Sequence, residues 1–314
     1  MIKLVIVIPV YNDWECLTKL VTSIKEVVSL SNIDLVRVIA VNDNSSVEPE
    51  VVSAGILKNL EIINLSTNVG HQRAIAIGLA YVNENYKDFD SVIIMDSDGE
   101  DDPVYIPELC KSAISKGQIT FANRIKRSES FLFICFYHIY KLVFKILTNQ
   151  SISFGNYSCI PTQQLSRVVQ IPELWNHYSG SIIKSKLHYS LVHAKRSKRY
   201  FGQSKMNFHH LVIHGLSSIS IYIEVVISKL FLFALTGIAL VSFSVIGIAL
   251  IKLFTDLAIP GWASNVILAL LNLGGLLFIV TLLLLLVQLS NRSNQTQSVL
   301  KFYRDYIYSI KKVE

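Results

Sequence analysis

Residues 92–103 read VIIMDSDGEDDP: four apolar positions run directly into a stretch holding Asp96, Asp98, Glu100, Asp101 and Asp102. A short apolar run bounded by turn residues reads as a buried strand. Five acids then crowd its carboxyl end, where like charges repel. Some partner must offset that repulsion, and hard carboxylate oxygens two residues apart suit Mg²⁺ or Mn²⁺, which shares itself between one or two carboxylates and substrate phosphates. Asp101 or Asp102, next to Pro103, also suits a helix cap.

The neighbouring segments alternate. KLVIVIP (3–9), DLVRVIAVND (34–43), LEIINL (60–65), SVIIMD (91–96) and QITFAN (118–123) have strand character, and amphipathic helical patterns at 14–28, 70–84 and 104–115 fall among them. Continuous apolar strands interleaved with helices predict an α/β fold, a mostly parallel sheet with helices on both faces. In such sheets ligands bind outside the carboxyl ends of the strands. Tyr11, Asn12 and Asp13, then Asn42, Asp43 and Asn44, then 68–73, and finally the acids follow successive strands, so one site can gather them.

The hydrophobic fraction is 51% with a mean hydropathy of +0.44, and the excess is concentrated at 230–251 and 266–289, which contain no charged residue. As helices these stretches are long enough to cross a bilayer. The intervening TDLAIPGW (255–262) has no Lys or Arg, whereas both flanks are basic. The positive-inside rule therefore predicts a multi-pass cell-membrane protein, a helical hairpin with the N-terminal domain and both termini cytoplasmic. SFLFICFYHIYKLVFKIL (130–147) and the segment 206–226 suit interfacial or packed helices.

The net charge of +6 comes largely from seven Lys or Arg between 184 and 205, just ahead of the first span. That placement favours anionic lipid or a phosphorylated substrate over nucleic acid. MIKLVIVIPVYND (1–13) is too short and lacks the cleavage site for a signal peptide. Cys16, Cys110, Cys135 and Cys159 are scattered, which indicates neither a zinc site nor a disulfide framework. His177, His209, His210 and His214 read as interfacial or ordinary polar positions, and Trp175 and Trp262 as packing and membrane-interface residues. The first strand leads into PVYND and not GxGxxG, which argues against a dinucleotide fold.

Taken together, VIVIPVYND (5–13), VNDNS (41–45), NVGHQRAIAIG (68–78), MDSDGEDDP (95–103), FANRIKR (121–127) and FGQSKMNF (201–208) resemble, in order, the motifs of family-2 glycosyltransferases of the GT-A (Rossmann-like) fold. Within that family the chain is similar to membrane-anchored polyprenyl-phosphate glycosyltransferases. The resemblance implies a GT-A domain over 1–205, a juxtamembrane helix over 206–229, spans at 230–254 and 264–290, and a cytoplasmic tail over 291–314. It implies that Pro9, Tyr11, Asp13, Asp43, Gly70, Arg73 and Ser97 hold the nucleotide, and that Asp96, Asp98 and Glu100 hold Mg²⁺ or Mn²⁺. Arg199, Ser204 and Lys205 would then meet the acceptor phosphate, with Asp98, Arg124 and Lys205 closest to the chemistry.

Two departures stand out: ISFGNYSCIP (152–161) lacks the Asp and Arg of the family's corresponding stretch, and the E-D pair that supplies a base in soluble relatives has no match. A phosphate monoester has a second pKa of about 6 and attacks without a base. The expected activity is inverting transfer of a sugar from a nucleotide-sugar, a UDP-sugar foremost, to a polyprenyl phosphate, by a homo-oligomer. A glycan or glycolipid hydroxyl acceptor is the alternative, and a non-catalytic nucleotide-binding membrane protein a second.

Overall fold

The structure, a computed structural model, describes residues 1–47, 59–124, 141–150, 154–202, 215–255, 261–293 and 297–313. The chain divides into two units, one of Met1–Lys141, Ser151–Ile221 and Thr296–Glu314, the other of Leu142–Gln150 and Tyr222–Gln295.

The first unit is built on an eight-stranded sheet. In chain order its strands are β1 (Ile2–Val10), β2 (Ile33–Asn42), β3 (Leu60–Leu65), β4 (Ser91–Ile94), β5 (Ile119–Arg124), β6 (Ser158–Pro161), β7 (Tyr189–Ala194) and β8 (Ile307–Val313). In space they run β7-β5-β6-β4-β1-β2-β3-β8. β1 pairs in parallel with β2 and β4, β2 with β3, and β5 with β7. β6 is antiparallel to both β4 and β5, and β8 is antiparallel to β3, so six strands share one direction. The expected mostly parallel sheet is present, with two reversed strands.

Helices cover both faces. On β1, Leu4, Ile6, Ile8 and Val10 face α1 (Trp14–Ser29) and α3 (Ile106–Lys116), while Val5 and Val7 face α2 (His71–Asn85), α4 (Thr162–Val168) and α5 (Tyr178–Lys184). This is the two-residue alternation of a strand buried on both sides. α1 turns Trp14, Leu17, Leu20, Val21 and Ile24 to the sheet, each large apolar side chain contributing about 1.5–3 kcal/mol on burial. α3 stops at Gly117, whose φ of +61° forms the left-handed cap that an L side chain resists. α2 is buried from Ala74 to Val82 and lies close to the sheet, because a Cβ on Gly78 would come within 2.5 Å of Val7 Cγ1.

Within the tail expected over 291–314 the structure contains regular elements. Residues 299–306 form two 3-10 turns, and β8 then closes the sheet against β3. Tyr303 donates to Glu84 of α2 (2.6 Å), Ser66 N donates to Tyr306 O (2.9 Å), and Trp175 packs against Phe302 and Tyr306. The driving force is an apolar surface on α2 and Trp175 together with the unpaired edge of β3, which the returning chain covers.

The second unit contains α6 (Ile223–Phe254) and α7 (Trp262–Ser293), both long and apolar enough to cross a membrane. α6 begins at Ile223, so the 223–229 part of the expected juxtamembrane helix is continuous with the first apolar helix; 206–214 lie outside the described residues. The two helices pack on each other where small residues permit it. A Cβ on Gly237 would meet Leu277 at 3.0 Å, and one on Gly274 would meet Val241 at 3.4 Å. Large apolar side chains such as Phe243, Leu268 and Leu276 point outward. Of the aromatic helix expected at 130–147, residues 141–147 are described, and they are helical.

Candidate functional site

Six strands running one way bring their carboxyl ends to one edge of the sheet. β1 delivers Tyr11, Asn12 and Asp13 there, β2 delivers Asp43, and β3 leads to Gly70; β4 delivers the acids, β5 Arg124, and β7 the segment 195–202. β6 starts from the same edge, which adds Asn156.

Each acid of the 96–102 loop has a protein partner. His71 Nε2 lies 3.1 Å from Asp96 Oδ1. Asp98 Oδ1 accepts the Glu100 amide (3.0 Å), and its Oδ2 lies 3.3 Å from Arg199 Nη1. The other arm of Arg199 donates to Asp13 Oδ1, so one guanidinium joins the ends of β1 and β4. Arg196 Nε donates to Glu100 Oε2 (2.8 Å). Asp101, buried, accepts the Asp96 amide (3.0 Å), and Asp102 caps the turn at Pro103 through Val104 N (3.0 Å) while accepting Ser197 Oγ (2.8 Å). The crowding that the sequence poses is therefore relieved in part by cationic side chains from α2 and from the chain after β7.

That relief is incomplete at Asp98. Burial and the adjacent Asp96 charge push its pKa up, against the Glu100 amide and Arg199. Burial works against the His71 imidazolium, but Asp96, with Asp101 and Asp98, holds its pKa above the ordinary histidine value.

The 195–202 segment lies across the acid loop as a strap. Ser197 N donates to Glu100 O and Tyr200 N to Asp98 O, both at 3.0 Å, and Lys195 N donates to the Tyr105 hydroxyl (3.1 Å). Gly99 makes this possible: its φ is +85°, and a Cβ there would stand 2.3 Å from the Tyr200 ring. Cys16 Sγ, on α1, reaches Phe201 O at 3.6 Å.

On the other flank, Asp43 is buried, and its two carboxylate oxygens accept Val69 N (2.7 Å) and Gly70 N (2.9 Å). Burial raises its pKa despite those amides. Asp43 thereby fixes the turn into α2. His71 and Gln72, the first residues of α2, meet Asn156: Asn156 Nδ2 lies 3.1 Å from His71 Nε2, and Gln72 Nε2 donates to Asn156 Oδ1 (3.3 Å). Gln72 also accepts Tyr178 N (2.7 Å).

Pro9 lies inside β1, opposite Val41 of β2, and the pairing runs on to Val10 and Asn42. Tyr11 is exposed, and Asn12 takes the left-handed conformation (φ 54°) with its side chain accepting Ser46 Oγ and Val47 N. Ser97 is buried between the two acids. Arg124 ends β5 beside Ala194. Arg73 turns elsewhere, its guanidinium 5.2 Å from the centre of the Trp175 ring, because the aromatic cluster with Phe302 and Tyr306 offers it a cation–π partner. Ser204 and Lys205 lie outside the described residues. His177 is buried and caps α5, its Nδ1 accepting Gly180 N (3.2 Å); it is neither interfacial nor a surface group. Cys16, Cys110 and Cys159 are buried free thiols.

His71 was not among the expected site residues, although it sits in the polar cluster after β3. Its position at the start of a helix that follows a strand of a parallel sheet was the available signal.

Among the described residues no three His, Cys, Asp or Glu side chains form a ready metal cage. The donors at the edge are hard carboxylate oxygens, Asp96 and Asp98 among them, on a loop that also carries Glu100, Asp101 and Asp102. They fit a divalent ion that takes one or two protein carboxylates and completes its shell with phosphate oxygens. Glu100 is held by Arg196 and is the least available of the three expected ligands.

Comparison with known proteins agrees with this architecture. An uncharacterised glycosyltransferase of Synechocystis is 26% identical over 283 residues, 87% of this chain and 86% of the relative. YkcC of Bacillus subtilis, another uncharacterised glycosyltransferase, is 26% identical over 286 residues, covering 88% and 85%. The undecaprenyl-phosphate 4-deoxy-4-formamido-L-arabinose transferase of an Enterobacter species is 24% identical over 229 residues, 67% of this chain and 64% of that protein. Glucosyl-3-phosphoglycerate synthase from Mycobacterium tuberculosis, solved with Mn²⁺, UDP-glucose and phosphoglyceric acid, has the same fold at a TM-score of 0.52 and 13% identity, over 71% of this chain and 79% of that one. Residues 5–171, more than half of the chain, match the sequence profile of Glycosyl transferase family 2, and the chain belongs to that family.

Proposed function

We propose that the protein is an inverting glycosyltransferase that moves a sugar from a nucleotide-sugar, a UDP-sugar foremost, to a polyprenyl phosphate at the cytoplasmic face of the cell membrane. The observation that carries this reading is the presence in one chain of a family-2 sheet edge lined by Asp13, Asp96, Asp98 and Arg199 and of two helices apolar enough to span a bilayer. The relative named as an undecaprenyl-phosphate sugar transferase supports a lipid-phosphate acceptor. The neighbour solved with Mn²⁺ and UDP-glucose supports the donor and the metal.

In this reading Tyr11, Asp13, Ser97 and the turn that Asp43 fixes at Gly70 receive the nucleotide. Asp96 and Asp98 hold Mg²⁺ or Mn²⁺, which when bound stabilises negative charge on the leaving diphosphate. Arg124 and Arg199 add positive charge for the phosphates, and Ser204 and Lys205 extend it toward the acceptor. His71, with Gln72 and Asn156, forms the wall beside the acids. The acceptor phosphate is already largely dianionic at neutral pH, so the protein's work is positioning and charge stabilisation. The chain would act as a homo-oligomer, which light scattering of the detergent-solubilised protein measures.

The test is a donor screen. Purified protein with MnCl₂, undecaprenyl phosphate and a panel of labelled nucleotide-sugars yields a labelled lipid from at least one donor, seen by thin-layer chromatography. Label arriving only on a glycan hydroxyl would favour the alternative acceptor, and no labelled product from any donor would overturn the reading.

A further inference from the structure

The strap after β7 holds Arg199 in an arrangement that a phosphate-binding role alone does not explain. Arg199 lies between two carboxylates from different strands, its side chain only 14% exposed, with Asp13 and Asp98 at 18% and 20%. Its Nε donates to Phe201 O (2.8 Å), and the backbone on either side is fixed by the Ser197 and Tyr200 amides. The guanidinium therefore has a rigid base, and only its side chain is free to turn. The two arms are unequal: the contact to Asp13 is tight, whereas that to Asp98 is 3.3 Å. Asp98 is the arm that yields.

We propose that Arg199 is an exchangeable counter-cation, which holds Asp98 in the metal-free chain and is displaced onto the nucleotide's diphosphate when a divalent cation takes Asp98. Two like charges cannot share one carboxylate oxygen in a partly buried site without strong repulsion. Metal entering alone must displace Arg199 from Asp98 with no anion to receive it. Metal entering with a diphosphate supplies that anion. Binding of metal and nucleotide is then cooperative through the protein, and by linkage each tightens the other equally. The inference rests on the proposed function only in assigning metal and diphosphate to this edge.

The test is equilibrium binding, with no turnover. Mn²⁺ affinity is measured by electron paramagnetic resonance on the full-length detergent-solubilised protein, alone and with saturating UDP or GDP, for wild type, Arg199→Gln and Arg199→Lys. Arg199→Gln should bind Mn²⁺ alone ~10-fold more tightly than wild type, while the coupling between metal and nucleotide shrinks by a similar factor, within the usual range for linked sites. Arg199→Lys should move both back toward wild type. Thermal melts guard against misfolding: Mn²⁺ alone should raise the melting temperature of Arg199→Gln more than that of wild type. An Mn²⁺ affinity that is unchanged or weaker in Arg199→Gln, with coupling intact, overturns the inference and leaves the proposed function standing. Absence of Mn²⁺ binding with either nucleotide in wild type removes the metal assignment and the inference together.

Discussion

At Gly99 a single missing Cβ decides whether the strap can close on the acid loop. Alanine there adds a methyl 2.3 Å from the Tyr200 ring and forces a φ of +85° on an L residue. Gly99→Ala is expected to destabilise the protein by about 1–3 kcal/mol, the cost of a side chain in such backbone. Denaturant melts in detergent read the loss, and transfer activity should fall with it because Asp98 and Tyr200 lose their register. Unaltered stability and rate would show that the strap does not depend on this contact. The acids themselves, the Gly and the candidate metal pair were legible in the sequence because they sit within seven positions of one another. Arg196 and Arg199 were visible as basic residues, but their partners were not, since 96 to 186 residues separate the members of these ion pairs and local pattern carries no information about that distance. Asp43 was legible as a strand-end acid; that its carboxylate would close on Val69 and Gly70 depends on the path of the turn.

Among the elements, α2 brings His71 and Gln72 to the site and joins the returning C-terminal chain. Its approach to the sheet depends on Gly78, where a Cβ would lie 2.5 Å from Val7 and 2.9 Å from Val41. Gly78→Ala should cost about 1–3 kcal/mol through overpacking, in spite of alanine's better helix propensity. A melt showing stabilisation would contradict that packing. At the other end of α2, Glu84 accepts Tyr303 Oη (2.6 Å) and Arg304 Nη2 (2.6 Å). The Tyr303 hydroxyl first, and Arg304 with it, hold the Glu84 carboxyl below its ordinary value. The stabilisation is present above the unfolded pKa of about 4.3 and is lost as pH falls through the lower folded value. Glu84→Gln should therefore flatten the acid limb of the stability-versus-pH curve, and curves of equal slope would remove Glu84 from that transition. Strands β1 to β5 and helices α1 to α3 announced themselves by largely apolar runs and helical spacing. β6, four residues long, and β7, with His193 and exposed positions along it, lack that signal and are held by their neighbours in the sheet.

On the scale of the whole molecule, the chain leaves the sheet domain for the two apolar helices and then returns to complete the sheet. IYSIKKV (307–313) is short and half polar, and it follows a membrane-spanning pattern, so the sequence reads as a tail; pairing with β3 is a non-local choice. Exposed Lys311 and Lys312 on this edge strand discourage pairing with a further chain. Truncation after residue 298 should uncover β3, Trp175 and α2 and give a detergent-solubilised protein that melts below the untruncated chain. An unchanged melt would make β8 an accessory to the fold. The two apolar helices were the most legible part of the sequence, because hydropathy is additive along a helix and needs no partner to be read.

The central claim is that the acids at the end of β4 carry metal-dependent sugar transfer to a lipid phosphate. It is tested most directly by kcat/KM for undecaprenyl phosphate, with a productive nucleotide-sugar and MnCl₂, in wild type and Asp98→Asn. The predicted result is lipid product that disappears with EDTA and a loss of about 100-fold or more in Asp98→Asn, read as lost transition-state stabilisation. An Asp98→Asn enzyme as fast as wild type, or turnover indifferent to EDTA, would contradict it.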